Sequence, residues 1–144
     1  MASNYKIAGL IHSAYNDVIK SIKDDFGWDL GYIKCNVVPI KGEQAKLVGN
    51  VLRVNPYFKK FLSDNNLIFD NLKKFFVLTI LREICKELYN NVWDDILKKK
   101  MLKTIKDQDK DVTEEDTLLD YFSILVYSTM LGRLNQYGKE HPVD

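Results

Sequence analysis

At 144 residues, with 46% hydrophobic and 28% charged side chains, the chain has the size and make-up of one globular domain spanning 1–144. A formal net charge of +1 lacks the basic excess of a dedicated nucleic-acid binder, so no nucleic acid is an expected partner. Two cysteines, Cys35 and Cys85, are too few for a disulfide scaffold and fit a reducing, cytoplasmic setting. Both read as small buried hydrophobes, with a link between two chains through Cys35 as the alternative.

No transmembrane segment is expected. The longest apolar run, Phe75 to Leu81, is interrupted by Thr79 and falls far short of the roughly 18 residues a span needs. Ile7 to Ile11 is too short for a signal-peptide core, and the polar end GKEHPVD carries no tail anchor.

In chain order, residues 4–25 predict an amphipathic helix with Ile7, Leu10, Ile11, Ala14, Val18 and Ile22 on one face, capped by Ser3 or Asn4 and ended by Gly27. Residues 27–42 hold three glycines and Pro39, so they predict a loop with a short extended piece at 32–38. Residues 43–54 predict a second helix with Leu47, Val48, Val51 and Leu52 on one side, ended by Asn55-Pro56. A short third helix at 57–63 and a turn at 64–66 follow.

The segment 67–97 is expected to organise the rest. Leu72, Phe76, Ile80, Ile84, Leu88, Val92 and Ile96 form one apolar row; Val77, Leu81, Cys85, Tyr89, Trp93 and Leu97 form a second. Each row steps by four and so drifts about 40° per step round a helix. That winding predicts a helix at 71–89 buried by its neighbours, with Asp70 as a cap, a break at Asn90-Asn91, and a more polar helix at 93–106. Thr113 with Glu114, Glu115 and Asp116 marks the start of a last helix, 114–136, apolar on much of its circumference and stopped by Gly138. The expected fold class is all-α: a bundle of about six helices, with a buried central hydrophobic helix wrapped by amphipathic ones.

Groups for chemistry are few, so no enzyme, no catalytic residue, no metal and no cofactor are expected. His12 lies beside the first helix's apolar face as a structural histidine, and His141 lies in the tail. Asp107, Asp109 and Asp111 imitate the start of a calcium loop, but Val112 stands where glycine is required and Leu118 where a bidentate glutamate is required. Lys98, Lys99, Lys100, Lys103 and Lys106 form a basic face that reads as solvated.

Three features together resemble the B-cell lymphoma-2 family of apoptosis regulators, in a divergent, viral-type form. LIHSAYNDVIKSIKDDFGWD is similar to the family's N-terminal homology helix with its aromatic exit. EQAKLVGNVLRVNPYFKKFLSDNNLIF resembles the groove-forming second and third helices, and the wrapped central helix is the third feature. The family's Asn-Trp-Gly-Arg signature has its nearest fragment in Asn91-Val92-Trp93-Asp94, with an acid in place of arginine. Arg53 and Arg82 are therefore the candidates for a contact to a ligand aspartate.

The resemblance implies an apoptosis inhibitor that sequesters amphipathic death-motif helices of pro-apoptotic proteins in a surface groove. It acts in the host-cell cytoplasm, and at mitochondria through its partners. Val48, Val51, Leu52, Phe58, Phe61, Leu62 and Phe76 are the expected trench, and a homodimer that covers the trench is a further expectation. The alternative is an unrelated all-α viral or phage accessory protein that binds a host protein through another surface.

Overall fold

The computed structural model describes residues 4–64, 66, 71–106 and 114–140, with side chains at 6–64, 66, 71–103 and 118–140. Helix α1 (Asn4–Phe26) buries Ile7, Ile11, Ala14, Val18 and Ile22, the face its spacing predicts. Gly27 ends it at φ 74°, a left-handed residue that glycine adopts without strain, and its N–H closes on Lys23 O at 3.0 Å.

The all-α expectation is corrected next. Three strands follow, β1 (Lys34–Val37), β2 (Ala45–Val48) and β3 (Val51–Val54), in spatial order β1-β3-β2. β1 runs parallel to β3, and β2 antiparallel to it. The predicted helix over 43–54 is thus a hairpin. Gly49 takes φ 61° at the first central position of a two-residue turn between paired Val48 and Val51, the geometry of a type II′ turn that matches strand twist. The register turns Cys35, Leu47 and Leu52, then Val37, Ala45 and Val54, to the core face. Lys34, Val48 and Val51, then Asn36, Lys46 and Arg53, share the outer face. Tyr15 on α1 donates its hydroxyl to Ile33 O at 2.6 Å and ties the approach to β1 down.

Asn55 closes the sheet. Its Nδ2 donates to Ile40 O at 2.9 Å and its Oδ1 accepts from Tyr57 N at 2.9 Å, while Gln44 Nε2 donates to Asn55 O. Short helix α2 (Lys59–Asp64) follows, two residues later than the predicted start.

Helix α3 (Leu72–Glu87) begins at Asn71, whose Oδ1 accepts from Lys74 N at 3.0 Å. Asp70, Ser3, Asp107, Asp109, Asp111, Thr113 and His141, named above as caps, ligands or tail, lie outside the described residues, as does the Asn4 side chain. α3 packs against α1, α5 and the β2 side of the sheet. It is not the jacketed centre of a bundle: Thr79, Arg82, Glu83 and Lys86, spaced i, i+3, i+4, i+7, keep one flank toward water. Within α3 both apolar rows from Phe76 to Cys85 fit in the remaining arc, whereas Val92 and Ile96, further along the first row, are exposed.

The predicted break at Asn90-Asn91 is a π-helical turn, Leu88–Val92, closed by Trp93 N donating to Leu88 O at 2.7 Å. Helix α4 (Asp95–Lys106) starts under Asp94, whose Oδ1 accepts from Leu97 N at 2.8 Å. Helix α5 (Glu114–Glu140) runs past its predicted stop. Gly138 sits inside it for a different reason: a Cβ there would lie 2.7 Å from Asn71 Nδ2, which donates to Leu134 O at 3.1 Å. The glycine lets the start of α3 lie against α5.

Candidate partner-binding face

The predicted trench residues do not line one groove. Val48 and Arg53 are exposed on the outer face of the sheet, Val51 is half-buried there, and Leu52 is fully buried on the inner face. Phe58, Phe61, Leu62 and Phe76 do come together, but as packing. Phe58 meets buried Phe76 edge-on at 6.1 Å between ring centres, and Phe61 meets Phe75 at 5.9 Å. α2 is therefore seated on α3. Arg82 is held by Asp120 at 3.3 Å in an exposed pair, the kind worth at most about 1 kcal/mol. A depression of about 290 Å³ lies between the loop before β2 and α2, walled by Ile40, Gln44, Asn55, Tyr57, Lys60 and Asp64; of the trench residues only Phe61 reaches it.

The feature that residue patterning missed lies on α5. Its inner face buries Leu118, Leu119, Phe122, Val126, Met130 and Leu134. Its outer face carries Tyr121 (36% exposed), Ile124 (62%), Leu125 (38%) and Leu131 (37%). At 100° per residue these four, with Ser128 and Gly132, fall within an arc of about 120°. That is a second stripe, apolar from Tyr121 to Leu131 and closed by Asn135 and Lys139, on a helix whose first stripe already faces the core. That the helix is apolar on much of its circumference was visible in the sequence; that part of this surface stays exposed was not. Among the described residues, α1, α3, α4 and the π-turn make the main contacts with α5, and they cover one side of it.

Elsewhere the reactive side chains are subdued. His12 is exposed. Lys98 lies over the Tyr89 ring at 4.0 Å. Burial pushes the Cys85 thiol up to about 12, although Ser123 Oγ donates to it at 3.3 Å. Burial alone pushes Cys35 up to about 11, from an ordinary 9.0. The thiolate is the nucleophile, so a two-unit rise leaves about 100-fold less of it at pH 8. Iodoacetamide is accordingly expected to label Cys35 in the folded chain at least tenfold more slowly than in urea. The folded-state rate should keep climbing with pH beyond 9, where the unfolded rate levels off. Mass spectrometry of the peptide containing residue 35 reads both, and equal rates would show that Cys35 is an open thiol ready to link chains.

Among the described residues no group of His, Cys, Asp and Glu is placed to hold a metal ion, and no helix is long and apolar enough to cross a membrane. No family model, no curated protein and no solved structure matches this chain.

Proposed function

We propose that the chain is a partner-binding domain that acts by occupancy, docking an amphipathic helix of another protein on the outer face of α5. The observation that carries this reading is the second apolar stripe, Tyr121, Ile124, Leu125 and Leu131, on one arc of a single helix. A helix laid along it would place anchors at every third or fourth residue, the helix-in-groove mode of recognition.

The magnitudes are adequate for a regulated, reversible complex. Each stripe side chain is already partly covered, so it adds about half of the roughly 1.5–3 kcal/mol of a full burial. The ligand's facing side chains add a like amount, which gives about 6–12 kcal/mol gross. Folding a disordered ligand removes about 2–5 kcal/mol. The remaining free energy of about 4–7 kcal/mol corresponds to affinities from about millimolar to about ten micromolar.

The family resemblance supplies the first ligand class: death-motif helices of pro-apoptotic proteins. Their capture in the host-cell cytoplasm, or at mitochondria through partners, would inhibit apoptosis. The hairpin at 45–54 favours the second reading, an accessory protein that occupies an unrelated host partner, because strands stand where the resemblance needs groove helices. Titrating labelled death-motif peptides by fluorescence anisotropy separates the two. Under the first reading one or more bind with affinities between about millimolar and about ten micromolar, and Ile124→Asp weakens them at least tenfold. Binding that ignores Ile124→Asp would remove α5 as the site.

A further inference from the structure

We infer that two chains pair α5 against α5, antiparallel, with a two-fold axis at Ser128. This rests on the reading of the outer face of α5 as a helix-docking surface, and it sets a second copy there in competition with the proposed foreign helix.

The first argument is Gly132. It lies in the interior of a long helix, where glycine is less stable than alanine by roughly 0.5–1 kcal/mol. Its own fold does not require it, because a Cβ built there meets nothing within 4 Å. Gly138, on the same helix, is explained by Asn71; Gly132 has no such neighbour. What the missing side chain leaves is a hollow on the exposed stripe.

The second argument is the spacing. Ile124, the most exposed apolar residue of the stripe, stands four residues before Ser128, and Gly132 stands four after it. A two-fold axis at Ser128 sets each Ile124 over the other copy's Gly132 and each Leu125 beside the other copy's Leu131. Large meets small, and the small Ser128 pair lets the helix axes approach closely, as ridge-into-groove packing needs. Such an isologous contact is closed, so the assembly stops at two.

The third argument is charge. Antiparallel pairing opposes the two helix dipoles and brings Lys139 of one copy, which shares the arc of the stripe, within about one turn of the exposed Arg82–Asp120 pair of the other, where it adds a second cation to that carboxylate. A folded α5 also pays none of the ordering cost that a disordered ligand would pay.

Sedimentation velocity of the full chain over a wide concentration range tests the inference, together with Ser128→Cys under mild oxidation. The expected result is a monomer–dimer equilibrium, held at monomer by Leu125→Asp without loss of helical circular dichroism. Ser128→Cys should give a disulfide-linked dimer that the wild type, with only Cys35 and Cys85, does not form. A monomer at every concentration, or a dimer indifferent to Leu125→Asp, overturns the inference. So does a Ser128→Cys chain that fails to cross-link while the dimer persists. A strict monomer whose peptide binding is lost on Ile124→Asp overturns self-pairing alone and leaves the helix-docking reading standing. A dimer dissolved by Leu125→Asp, with no peptide bound by either form, supports the pairing and ends the reading of foreign death-motif capture.

Discussion

Phe122→Ala is expected to cost about 3–5 kcal/mol, the range for emptying a buried phenylalanine site. Phe122 is 1% exposed, and three rings, those of Phe26, Trp28 and Trp93, each centre 5.1 Å from it. Phe26 stacks on Trp28 at 5.8 Å, and Tyr89 reaches Trp93 at 6.4 Å. These rings join the end of α1, the loop after it, the π-turn and α5, so removing Phe122 loosens four segments together. Ring pairs of this geometry add about 0.5–1.5 kcal/mol each beyond their burial, which puts the loss in the upper part of the range. Trp93 Nε1 is buried with no hydrogen-bond partner among the described residues, so ring packing and not hydrogen bonding holds this indole. At roughly 2–4 °C per kcal/mol for a domain near this size, the midpoint of thermal unfolding should fall by about 10–15 °C. Ile124→Ala, two residues along on the exposed stripe, should shift it by no more than about 2 °C. Calorimetry on the two variants checks the contrast. A fall under about 3 °C for Phe122→Ala would mean that the cluster closes over the gap or was never tight.

That contrast between neighbours marks where patterning in the chain informs and where it stops. The inner face of α1, the break at Asn90-Asn91 and the buried positions of α3 from Phe76 to Cys85 were legible from residues close in sequence, whereas the jacketing of α3 on every side was not borne out. The hairpin was missed for a specific reason. Leu47, Val48, Val51 and Leu52 satisfy a helical spacing of one, four and five, and they equally satisfy two strands that fold back at Gly49-Asn50. The glycine-asparagine pair between valine-rich runs was the available signal, since a two-residue turn needs the positive φ that Gly49 supplies. The trench fell with that helix: alternation sends Val48 and Arg53 to one side of the sheet and Leu52 to the other. On α5, periodicity gave the apolar positions but not the number of neighbours available to cover them. Gly138 read as a stop because its true constraint, Asn71, is remote in sequence. The same remoteness hid the polar contact that crosses the core.

Asp17→Ala tests that contact. Lys73 Nζ lies 2.7 Å from Asp17 Oδ2 and 3.1 Å from Ser13 Oγ, with the Tyr137 ring centre at 4.7 Å. The Lys73 side chain is only 9% exposed, whereas Asp17 keeps 34%. The two partners are therefore not equivalent. Removing Asp17 leaves an ammonium nine-tenths buried, facing one hydroxyl and one ring. Breaking a fully buried pair this way costs about 3–5 kcal/mol, and the water that reaches the Asp17 side reduces that to about 2–3 kcal/mol. Lys73→Met keeps the aliphatic volume and leaves Asp17 at a position where water can solvate it, so it should cost about 1 kcal/mol or less. The double variant should then be more stable than Asp17→Ala alone, because no stranded cation remains. A double-mutant cycle from urea unfolding gives the coupling directly. Equal losses for the two single variants, or a double variant no better than Asp17→Ala, would show that the pair is solvated in the folded chain. In that event Ser13 and Asp17 are ordinary surface residues of α1, and α1 is held to α3 by its apolar face alone.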